Sequence, residues 1–201
     1  MGYIPRMKLS QRRHWIFDMD GTLTVPMHDF AWLRRRLGIP SEVDILVDVA
    51  SRPPEARAAA EQVIHDWELD IADRAEAQPD ALRLLESLET AGCRLGVLTR
   101  NTQEGARRTL AASGLDRFFD PEDVLGRDDA APKPDPAGIQ RLLDHWQADA
   151  RDAVMVGDWI YDTQSGRNAG TATVLVVRET APPVCDSVDL QVDSLDAVPR
   201  P

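Results

Sequence analysis

Two aspartates stand two residues apart at the end of a short apolar run. The run at 14–18 has the length of a buried strand, and Asp20 and a Gly-Thr turn follow it. Because side chains at i and i+2 of a strand point to the same side, Asp18 and Asp20 are expected to face one crevice. Carboxylates that close repel each other unless a cation or a shared proton offsets their charge. The pattern indicates a nucleophilic aspartate, a neighbouring acid/base and Mg²⁺ between carboxylates, although a solvated strand end or a calcium loop would also fit it.

Thr99 closes a second apolar run, at 94–99, and Arg100, Asn101 and a helical segment follow it. A hydroxyl group beside the free backbone N–H groups of a helix N-terminus forms a phosphate-binding site. Threonine at the start of a helix is also a common N-cap, so this feature gains weight only beside the other motifs.

Lys133 lies between two prolines in a chain that strongly favours arginine. Lysine occurs only as Lys8 and Lys133, although lysine and arginine together number 23. A compact ammonium group fits between the Asp18 carboxylate and a phosphoryl oxygen, where a planar guanidinium would be too wide. The alternative is a chance surface lysine in a proline-rich loop.

A second pair of acids follows the apolar run at 153–157. Asp158 is expected to leave the strand toward the same crevice, and Asp162 to enter it from the first turn of the next helix. Carboxylates are the ligands that Mg²⁺ prefers. For Asp162 the alternative is a simple interaction with the helix dipole.

Apolar runs of strand length position these residues, and helical segments separate the runs. The runs lie at 14–18, 94–99, 123–126, 153–157 and 173–177, and the helical segments at 79–91, 102–113 and 136–146. Near-continuous apolar strands that alternate with helices predict an α/β fold with a parallel sheet covered on both faces. Ligands bind such sheets outside the carboxyl ends of the strands, where the residues named above are predicted to lie.

Residues 25–78 interrupt this alternation with helical periodicity and without a convincing strand. The apolar stripes of this segment are Phe30, Leu33 and Leu37, and then Ala56, Ala60, Val63, Ile64, Trp67 and Ile71. We predict a small helical cap at 25–78 over a core domain formed by 1–24 and 79–201. The alternative is a long helical connection packed against the sheet.

The composition limits the partners and the location of the protein. A net charge of −11 over 201 residues disfavours nucleic acid and anionic membranes, because both need basic patches. No apolar stretch approaches the length of a membrane span, and the start has no signal-peptide core. Cys93 and Cys185 lack metal-ligand spacing and are expected to be reduced thiols in a cytoplasmic protein. Residues 1–12 are interpreted as a mobile basic arm, and the tail after Pro182 as loosely helical or extended.

Together these motifs resemble the haloacid dehalogenase-like superfamily, and in particular its phosphoglycolate phosphatase-like members. The resemblance extends over residues 14–170 and includes four motifs in order, which are Asp18-Met19-Asp20-Gly21-Thr22, Thr99, Lys133, and Asp158 with Asp162. The ending of the last motif's helix is similar at Gly166, Asn168, Ala169 and Gly170. The resemblance implies a Rossmann-like three-layer core with a parallel sheet and a small α-helical cap inserted after the first strand.

The resemblance also implies a Mg²⁺-dependent phosphatase that hydrolyses a small phosphorylated metabolite through an aspartyl-phosphate intermediate. The implied catalytic residues are Asp18, Asp20, Thr99 and Lys133. The implied substrate-binding residues are Gly21, Thr99, Arg100, Asn101 and Lys133. The implied metal ligands are Asp18, Asp20 through its main-chain carbonyl, Asp158 and Asp162. The expected partner is a small-molecule phosphate ester, and the expected assembly is a monomer or homodimer.

Three other functions stay open at this point. A phosphomutase uses the same acids, and His28 could then be a cap-mounted base, although a polar residue of the cap hinge is the simpler interpretation. A receiver-like signalling module also uses paired acids, a threonine and a lysine, but it has no inserted cap. A catalytically inactive binding module is disfavoured because every catalytic position is filled.

Two positions depart from the commonest form of the family motifs, and both concern the substrate. Arg100 follows Thr99 where asparagine is usual, and Trp159 replaces the small hydroxyl residue usual at its position. The run Arg34-Arg35-Arg36 could meet an anionic metabolite, but consecutive residues spread around a helix, so a solvated face is the simpler interpretation. These residues therefore leave the substrate undetermined.

Overall fold

The strands predicted from the apolar runs form one parallel sheet. The structure is a computed structural model, and it describes residues 8–178 and 188–201. Its strands are β1 (His14–Phe17), β2 (Arg94–Leu98), β3 (Val124–Leu125), β4 (Ala153–Gly157), β5 (Ala172–Val176) and β6 (Leu190–Val192). They pair in parallel in the order β3-β2-β1-β4-β5-β6. This is the order of a Rossmann-like sheet and not the 2-1-3-4-5 order of receiver folds, so the receiver-like alternative is wrong.

Helices cover both faces of this sheet. The helices of the described residues are α1 (Phe30–Leu37), α2 (Ile45–Ser51), α3 (Pro54–Ala72), α4 (Pro79–Thr90), α5 (Gln103–Ala112), α6 (Ala137–Trp146) and α7 (Ile160–Ala169). Alternate residues of β1 point to opposite faces, so Trp15 and Phe17 pack with α4 and α5, while Ile16 packs with α6. The predicted three-layer α/β core is therefore confirmed. Over residues 8–178 and 188–201, no helix combines the length and the apolar character that crossing a membrane requires.

β6 was not predicted from the sequence. The tail after Pro182 is expected to be loosely helical or extended, but Leu190–Val192 continues the sheet beside β5. Three residues with one partly buried, one exposed and one buried side chain carry no recognisable period, so propensity alone could not identify this strand. Residues 183–187 of the tail, with Cys185, lie outside the described residues, and Cys93 is a free thiol.

The interpretation of 1–12 as a mobile arm is wrong for the last residues of that segment. Leu9–Gln11 form a turn of 3₁₀-helix, and the first of them packs against the apolar core. Arg12 is buried, and its Nη1 donates a hydrogen bond of 2.7 Å to the carbonyl oxygen of Ala153 at the start of β4. This contact holds the segment against the sheet, whereas residues 1–7 lie outside the described residues.

The segment inserted after β1 has an apolar cluster of its own. The buried apolar side chains of this cluster are Leu33, Ile39, Ile45, Val49, Ala60 and Ile64. The two connections to the sheet run side by side, because the N–H of Val25 donates to the carbonyl oxygen of Glu76 at 2.9 Å. These observations support the division into a cap at 25–78 and a core, which we keep as a proposal.

Two positions of the predicted cap stripes are exposed instead of buried. Phe30 is 56% exposed and contacts the ring of Trp67 at an angle, with 5.7 Å between the ring centroids. Ala56 is also exposed, in the first turn of α3. Glu68, by contrast, is buried although it is charged. The helical period thus locates the helices of the cap but not the positions that turn toward the rest of the protein.

Asp80, the second residue of α4, joins three parts of the core. Its carboxylate accepts two hydrogen bonds from Arg178, at 2.9 and 3.0 Å, one from Ser194 Oγ at 2.8 Å and one from the Leu195 N–H at 2.9 Å. Burial alone would raise the pKa of Asp80, but these hydrogen bonds outweigh it and lower the pKa to about 2. The carboxylate therefore stabilises the contact of α4 with the chain that follows β5 and β6.

We expect Asp80→Asn to lower the free energy of unfolding at neutral pH by about 1 to 2 kcal/mol. A carboxylate with a depressed folded-state pKa stabilises the fold above its unfolded pKa, so the difference between wild type and variant should disappear as the pH falls from about 4 to about 2. Urea titrations across this pH range measure the difference. The control is Asp196→Asn, which removes only exposed ion pairs, with Arg83 and Arg200, and should have little effect. Equal losses in the two variants would contradict the prediction.

Candidate active site

The carboxyl ends of three neighbouring strands meet at one edge of the sheet. β1, β2 and β4 are adjacent, and the residues that directly follow them are Asp18, Thr99 and Asp158. The N–H of Asp18 donates to the carbonyl oxygen of Val156 at 2.8 Å, so the pairing of β1 with β4 holds Asp18 in place. The structure thus brings together three residues that were predicted from separate motifs.

Lys133 is buried among acidic side chains, so the alternative of a surface lysine is wrong. Its Nζ donates to Asp18 Oδ1 at 2.5 Å, and it lies 2.7 Å from Asp162 Oδ1. The third acceptor is the carbonyl oxygen of Leu98, at 2.9 Å. Burial alone would lower the pKa of Lys133, but Asp162 and Asp18 outweigh it and raise the pKa above its ordinary value. The residue is an ammonium group whose three N–H bonds can all reach oxygens.

Three carboxylates converge beside this ammonium group. One oxygen atom from each of Asp18, Asp158 and Asp162 lies within 4.8 Å of the others. Burial, and then repulsion by Asp162, raises the pKa of Asp158 to about 7. Burial also raises the pKa of Asp18 well above its usual range, against the attraction of Lys133. This excess of buried negative charge and the hard oxygen ligands fit a Mg²⁺ ion.

Asp162 already uses both of its carboxylate oxygens. Its Oδ1 contacts Lys133, and its Oδ2 accepts a hydrogen bond of 2.9 Å from the N–H of Trp159. The side chain therefore fixes the loop that carries Asp158. Both oxygens of Asp162 are thus engaged by the protein, unlike a carboxylate that is free to bind a metal ion.

Gly21 lies against Asp158 because it has no side chain. Its φ angle is +85°, and a Cβ atom at this position would overlap the Asp158 carboxylate. The glycine of the first motif thus lets the main chain approach the acidic cluster, which no larger residue could do without moving Asp158.

Asp20 reaches the same region from the turn after β1. Its Oδ2 accepts a hydrogen bond of 2.8 Å from Asn101 Nδ2, and its Oδ1 lies 3.6 Å from His28 Nδ1. Burial raises the pKa of Asp20, although His28 and Asn101 act in the opposite direction. The N–H of Asn101 in turn donates to Thr99 Oγ1 at 3.2 Å. A carboxyl group with a raised pKa can hold the proton that a general acid must donate.

Arg100 extends from the loop after β2 to the cap. Its Nη2 donates to Asp44 Oδ2 at 2.9 Å, while Asp44 Oδ1 caps α2 by accepting the N–H of Leu46 at 2.9 Å. Burial alone would raise the pKa of Asp44, but Arg100 and the hydrogen bonds from the N–H groups of Val47 and Leu46 outweigh it and lower the pKa. Sequence reasoning missed Asp44, which an N-cap pattern before α2 could have identified only as a structural residue.

Glu68 and Arg127 form a second contact between the cap and the core, and sequence reasoning missed both. Arg127 Nη1 donates to Glu68 Oε1 at 2.6 Å. Glu68 is 7% exposed and occupies the buried stripe of α3 between Ile64 and Ile71. Glu68 could have been identified from the sequence, because it is a charged residue at a position where the helical period of α3 predicts an apolar one. No sequence pattern identifies Arg127.

Arg34 is partly buried, so the interpretation of Arg34-Arg35-Arg36 as a solvated face is wrong for this residue. Its Nη1 donates to the carbonyl oxygens of Pro40 and Val43, each at 2.6 Å. It therefore organises the loop before α2, while Arg35 and Arg36 are exposed.

A cavity of about 620 Å³ lies between the cap and the strand ends. Every predicted site residue that has a side chain lines it, namely Asp18, Asp20, Thr99, Arg100, Asn101, Lys133, Asp158 and Asp162. The cap contributes His28, Phe30, Arg34, Asp44 and Glu68, among others. The cavity has the volume of a small-molecule site, and its lining combines carboxylates, an ammonium group and hydroxyl and amide groups.

Comparison with known sequences gives a family for this fold and site. The family model described as haloacid dehalogenase-like hydrolase matches residues 34–176, which begin after the aspartate pair and include the other three motifs. A haloacid dehalogenase-like hydrolase domain-containing protein of Arabidopsis thaliana is 31% identical over 179 residues, which cover 83% of this chain and 71% of that protein. The phosphoglycolate phosphatase of Rhodospirillum rubrum is 41% identical over 104 residues, which cover 51% of this chain and 42% of the relative.

A solved structure agrees with the fold. CbbY from Rhodobacter sphaeroides, solved in complex with phosphate, matches with a TM-score of 0.73 at 18% identity, over 92% of this chain and 96% of CbbY. At this identity the likeness shows the fold alone, and the family rests on the sequence matches. The resemblance predicted from the four motifs is confirmed: the chain belongs to the haloacid dehalogenase-like hydrolase family.

Proposed function

We propose that this enzyme is a Mg²⁺-dependent phosphatase that hydrolyses a small phosphorylated metabolite through an aspartyl-phosphate on Asp18. The observation that carries the proposal is the buried Lys133 ammonium group, which binds Asp18 within a carboxylate cluster. Asp20 lines the same cavity. The name of the Rhodospirillum rubrum relative and the phosphate bound to CbbY support the same class of substrate.

Asp18 is assigned as the nucleophile. Lys133 holds its Oδ1, and we assign the attack on phosphorus to Oδ2. The attack forms a bond from this oxygen to phosphorus and breaks the bond to the leaving oxygen on the opposite side. Uncatalysed phosphate-ester hydrolysis is so slow that catalysis requires a barrier reduction of about 20 kcal/mol, so several groups must act together.

Asp20 is assigned as the general acid and base. It protonates the leaving oxygen and later takes a proton from the water that hydrolyses the aspartyl-phosphate. The hydrogen bond from Asn101 Nδ2 fixes the orientation of its carboxyl group. Burial favours the protonated form that the first step needs.

The proposed Mg²⁺ ligands are Asp18, Asp158 and the main-chain carbonyl of Asp20, with Asp162 as support. When bound, the ion neutralises charge, so that an anionic nucleophile can approach an anionic ester. Asp162 keeps Lys133 and the loop of Asp158 in position through its two oxygens.

The phosphoryl oxygens are proposed to bind around the same centre. Lys133 supplies a positive charge, and Thr99 supplies a hydroxyl group. The loop at Arg100 and Asn101 supplies hydrogen-bond donors, while Gly21, whose N–H donates to the carbonyl oxygen of Thr24 at 3.0 Å, lets the main chain approach the site. Donors that are already in place stabilise the charge of the transition state without a reorganisation cost at the moment of reaction.

The cap at 25–78 is proposed to exclude water and to select the leaving group of the ester. Two ion pairs join it to the core across the cavity, one between Arg100 and Asp44 and one between Arg127 and Glu68. Specificity in this arrangement depends on the cap, and the chemistry depends on the strand ends.

His28 supports a second candidate, a phosphomutase of the same family. Its Nδ1 lies 3.6 Å from Asp20 Oδ1, and its ring stacks on Phe30 with 5.4 Å between the centroids. An imidazole of the cap that contacts the acid/base can control when that group exchanges its proton. The candidates differ in product, because a phosphatase releases inorganic phosphate and a mutase returns the phosphoryl group to another oxygen of the substrate.

The proposed function is tested by turnover of p-nitrophenyl phosphate with and without Mg²⁺. We expect hydrolysis with Mg²⁺, a loss of at least about 100-fold after treatment with EDTA, and recovery when Mg²⁺ is added in excess. Asp158→Ala should raise the half-saturating Mg²⁺ concentration more than Asp162→Ala, because Asp162 is engaged with Lys133. Full activity after exhaustive chelation would contradict the proposal.

A further inference from the structure

Two buried polar atoms, on residues that line the cavity, have no hydrogen-bond partner among the described residues. One is Oε2 of Glu68, a side chain that is only 7% exposed, and the other is the buried Nε of Arg100. Both residues line the cavity described above. Buried polar groups in native proteins nearly always have partners, so an unpaired acceptor and an unpaired donor beside one cavity indicate a ligand that completes them.

The rest of each side chain is held by the protein. Arg127 Nη1 donates to Glu68 Oε1 at 2.6 Å and also reaches the carbonyl oxygen of Arg100 at 3.3 Å. Arg100 Nη2 donates to Asp44 Oδ2 at 2.9 Å. Arg127 thus links Glu68 to Arg100. These contacts hold in place the two atoms without a partner, Oε2 of Glu68 and Nε of Arg100.

The charges of the cavity disfavour a second anionic group on the substrate. Seven carboxylate side chains line it, against four basic side chains. The basic side chains, which all donate to carboxylate or carbonyl oxygens of the protein, are Arg34, Arg100, Arg127 and Lys133. These four side chains are therefore already paired with protein oxygens, and the unpaired Oε2 of Glu68 would repel a carboxylate or a second phosphate on the leaving group.

We propose that the substrate is a phosphate monoester with an uncharged, hydroxyl-bearing leaving group, as in polyol and sugar phosphates, and that Glu68 and Arg100 bind one hydroxyl of it. This inference rests on the proposed phosphatase function and specifies its substrate class. A hydroxyl group both donates and accepts, so it can donate to Glu68 Oε2 and accept from Arg100 Nε. A carboxylate only accepts, and an alkyl chain does neither. Glu68 is therefore a specificity-determining residue of the cap.

The first experiment compares three esters of equal chain length with the wild-type enzyme and Mg²⁺: glycerol 3-phosphate, propyl phosphate and 3-phosphoglycerate. We expect kcat/KM to be at least about tenfold higher for glycerol 3-phosphate than for either of the others, because a hydrogen bond to a charged acceptor discriminates by that factor or more. Glucose 6-phosphate and 6-phosphogluconate make the same comparison for a longer leaving group. If neither series favours the hydroxyl ester over the carboxylate, the proposal is overturned.

The second experiment changes the acceptor. Glu68→Met removes it and leaves Arg127 without its carboxylate, so the ratio of kcat/KM for the hydroxyl ester to that for the carboxylate ester should fall at least about tenfold. Glu68→Gln keeps the size of the side chain and should shift the ratio in the same direction by less. The matched control is Glu61→Gln, on the exposed side of α3, which should leave the ratio at the wild-type value.

The outcomes separate this inference from the function on which it rests. If the wild type hydrolyses none of these esters and not p-nitrophenyl phosphate either, both the function and the inference fail. If it hydrolyses them but the ratio stays unchanged in Glu68→Met and Glu68→Gln, only the inference fails. A fall of the ratio in both variants, with none in Glu61→Gln, supports the role of Glu68.

Discussion

Asp18→Asn is expected to abolish hydrolysis while the protein stays folded. An amide oxygen cannot act as the nucleophile toward phosphorus, and removal of a nucleophile lowers kcat by about four orders of magnitude or more. The substitution also removes one of three carboxylates that repel each other beside Lys133, so stability should not decrease. Release of inorganic phosphate and the thermal midpoint without Mg²⁺ measure the two effects.

The covalent intermediate gives an independent measurement of the same assignment. Brief incubation of the wild type with substrate, followed by acid quenching, should leave a phosphoryl group on the peptide that contains Asp18, and mass spectrometry should find none in Asp18→Asn. Asp149→Asn, at an exposed carboxylate paired with Arg151, is the control and should behave as wild type. Normal turnover in a folded Asp18→Asn enzyme, or labelling at another residue, would refute Asp18 as the nucleophile.

The residues at the strand ends could be predicted because each of them directly follows a buried strand. A short apolar run identifies the strand, and parallel strands place their carboxyl ends at one edge. Asp18, Thr99 and Asp158 therefore needed no tertiary information. Lys133 lies outside the strands. It could still be predicted as a site residue, because lysine occurs only at positions 8 and 133 of this arginine-rich chain.

The contacts between the cap and the core could not be predicted, because they join residues that are distant in sequence. Glu68 and Arg127 are 59 positions apart, and Asp44 and Arg100 are 56 apart. A helical period locates α3 but does not say which stripe position faces the cavity. Arg12 shows the same limit, since only the folded sheet brings the Ala153 carbonyl oxygen to it.

The strand-end residues could be predicted and the contacts between cap and core could not, because we propose different roles for these two parts of the molecule. Chemistry at the strand ends uses residue types whose spacing is dictated by the sheet, so it leaves a pattern in the sequence. Selection of the leaving group uses side chains that the cap and the core contribute separately. The substrate therefore has to be inferred from contacts such as that of Glu68 with Arg127 rather than from motifs.

Lys133→Met is expected to inactivate the enzyme and to destabilise the metal-free protein. The ammonium group contacts Asp18, Asp162 and the carbonyl oxygen of Leu98. Without it the buried carboxylates are uncompensated, and breaking such a buried pair costs about 3 to 5 kcal/mol of unfolding free energy. Loss of a group that balances the charge of the phosphoryl oxygens lowers kcat by about 100- to 1000-fold. Phosphate release and urea titration without Mg²⁺ measure these changes.

The loss of stability in Lys133→Met should depend on pH and on metal in directions that identify its cause. Carboxyl groups with raised folded-state pKa values, as Asp158 has at about 7, bind more protons in the folded state, so the stability of the variant should fall as the pH rises from about 4 to about 7. Mg²⁺ should restore part of the stability, because a cation again offsets the carboxylates, but not the activity. Lys8→Met, at the other lysine, which is exposed, is the control and should match wild type at each pH. A loss that depends neither on pH nor on Mg²⁺ would mean that Lys133 acts through packing and not through its charge.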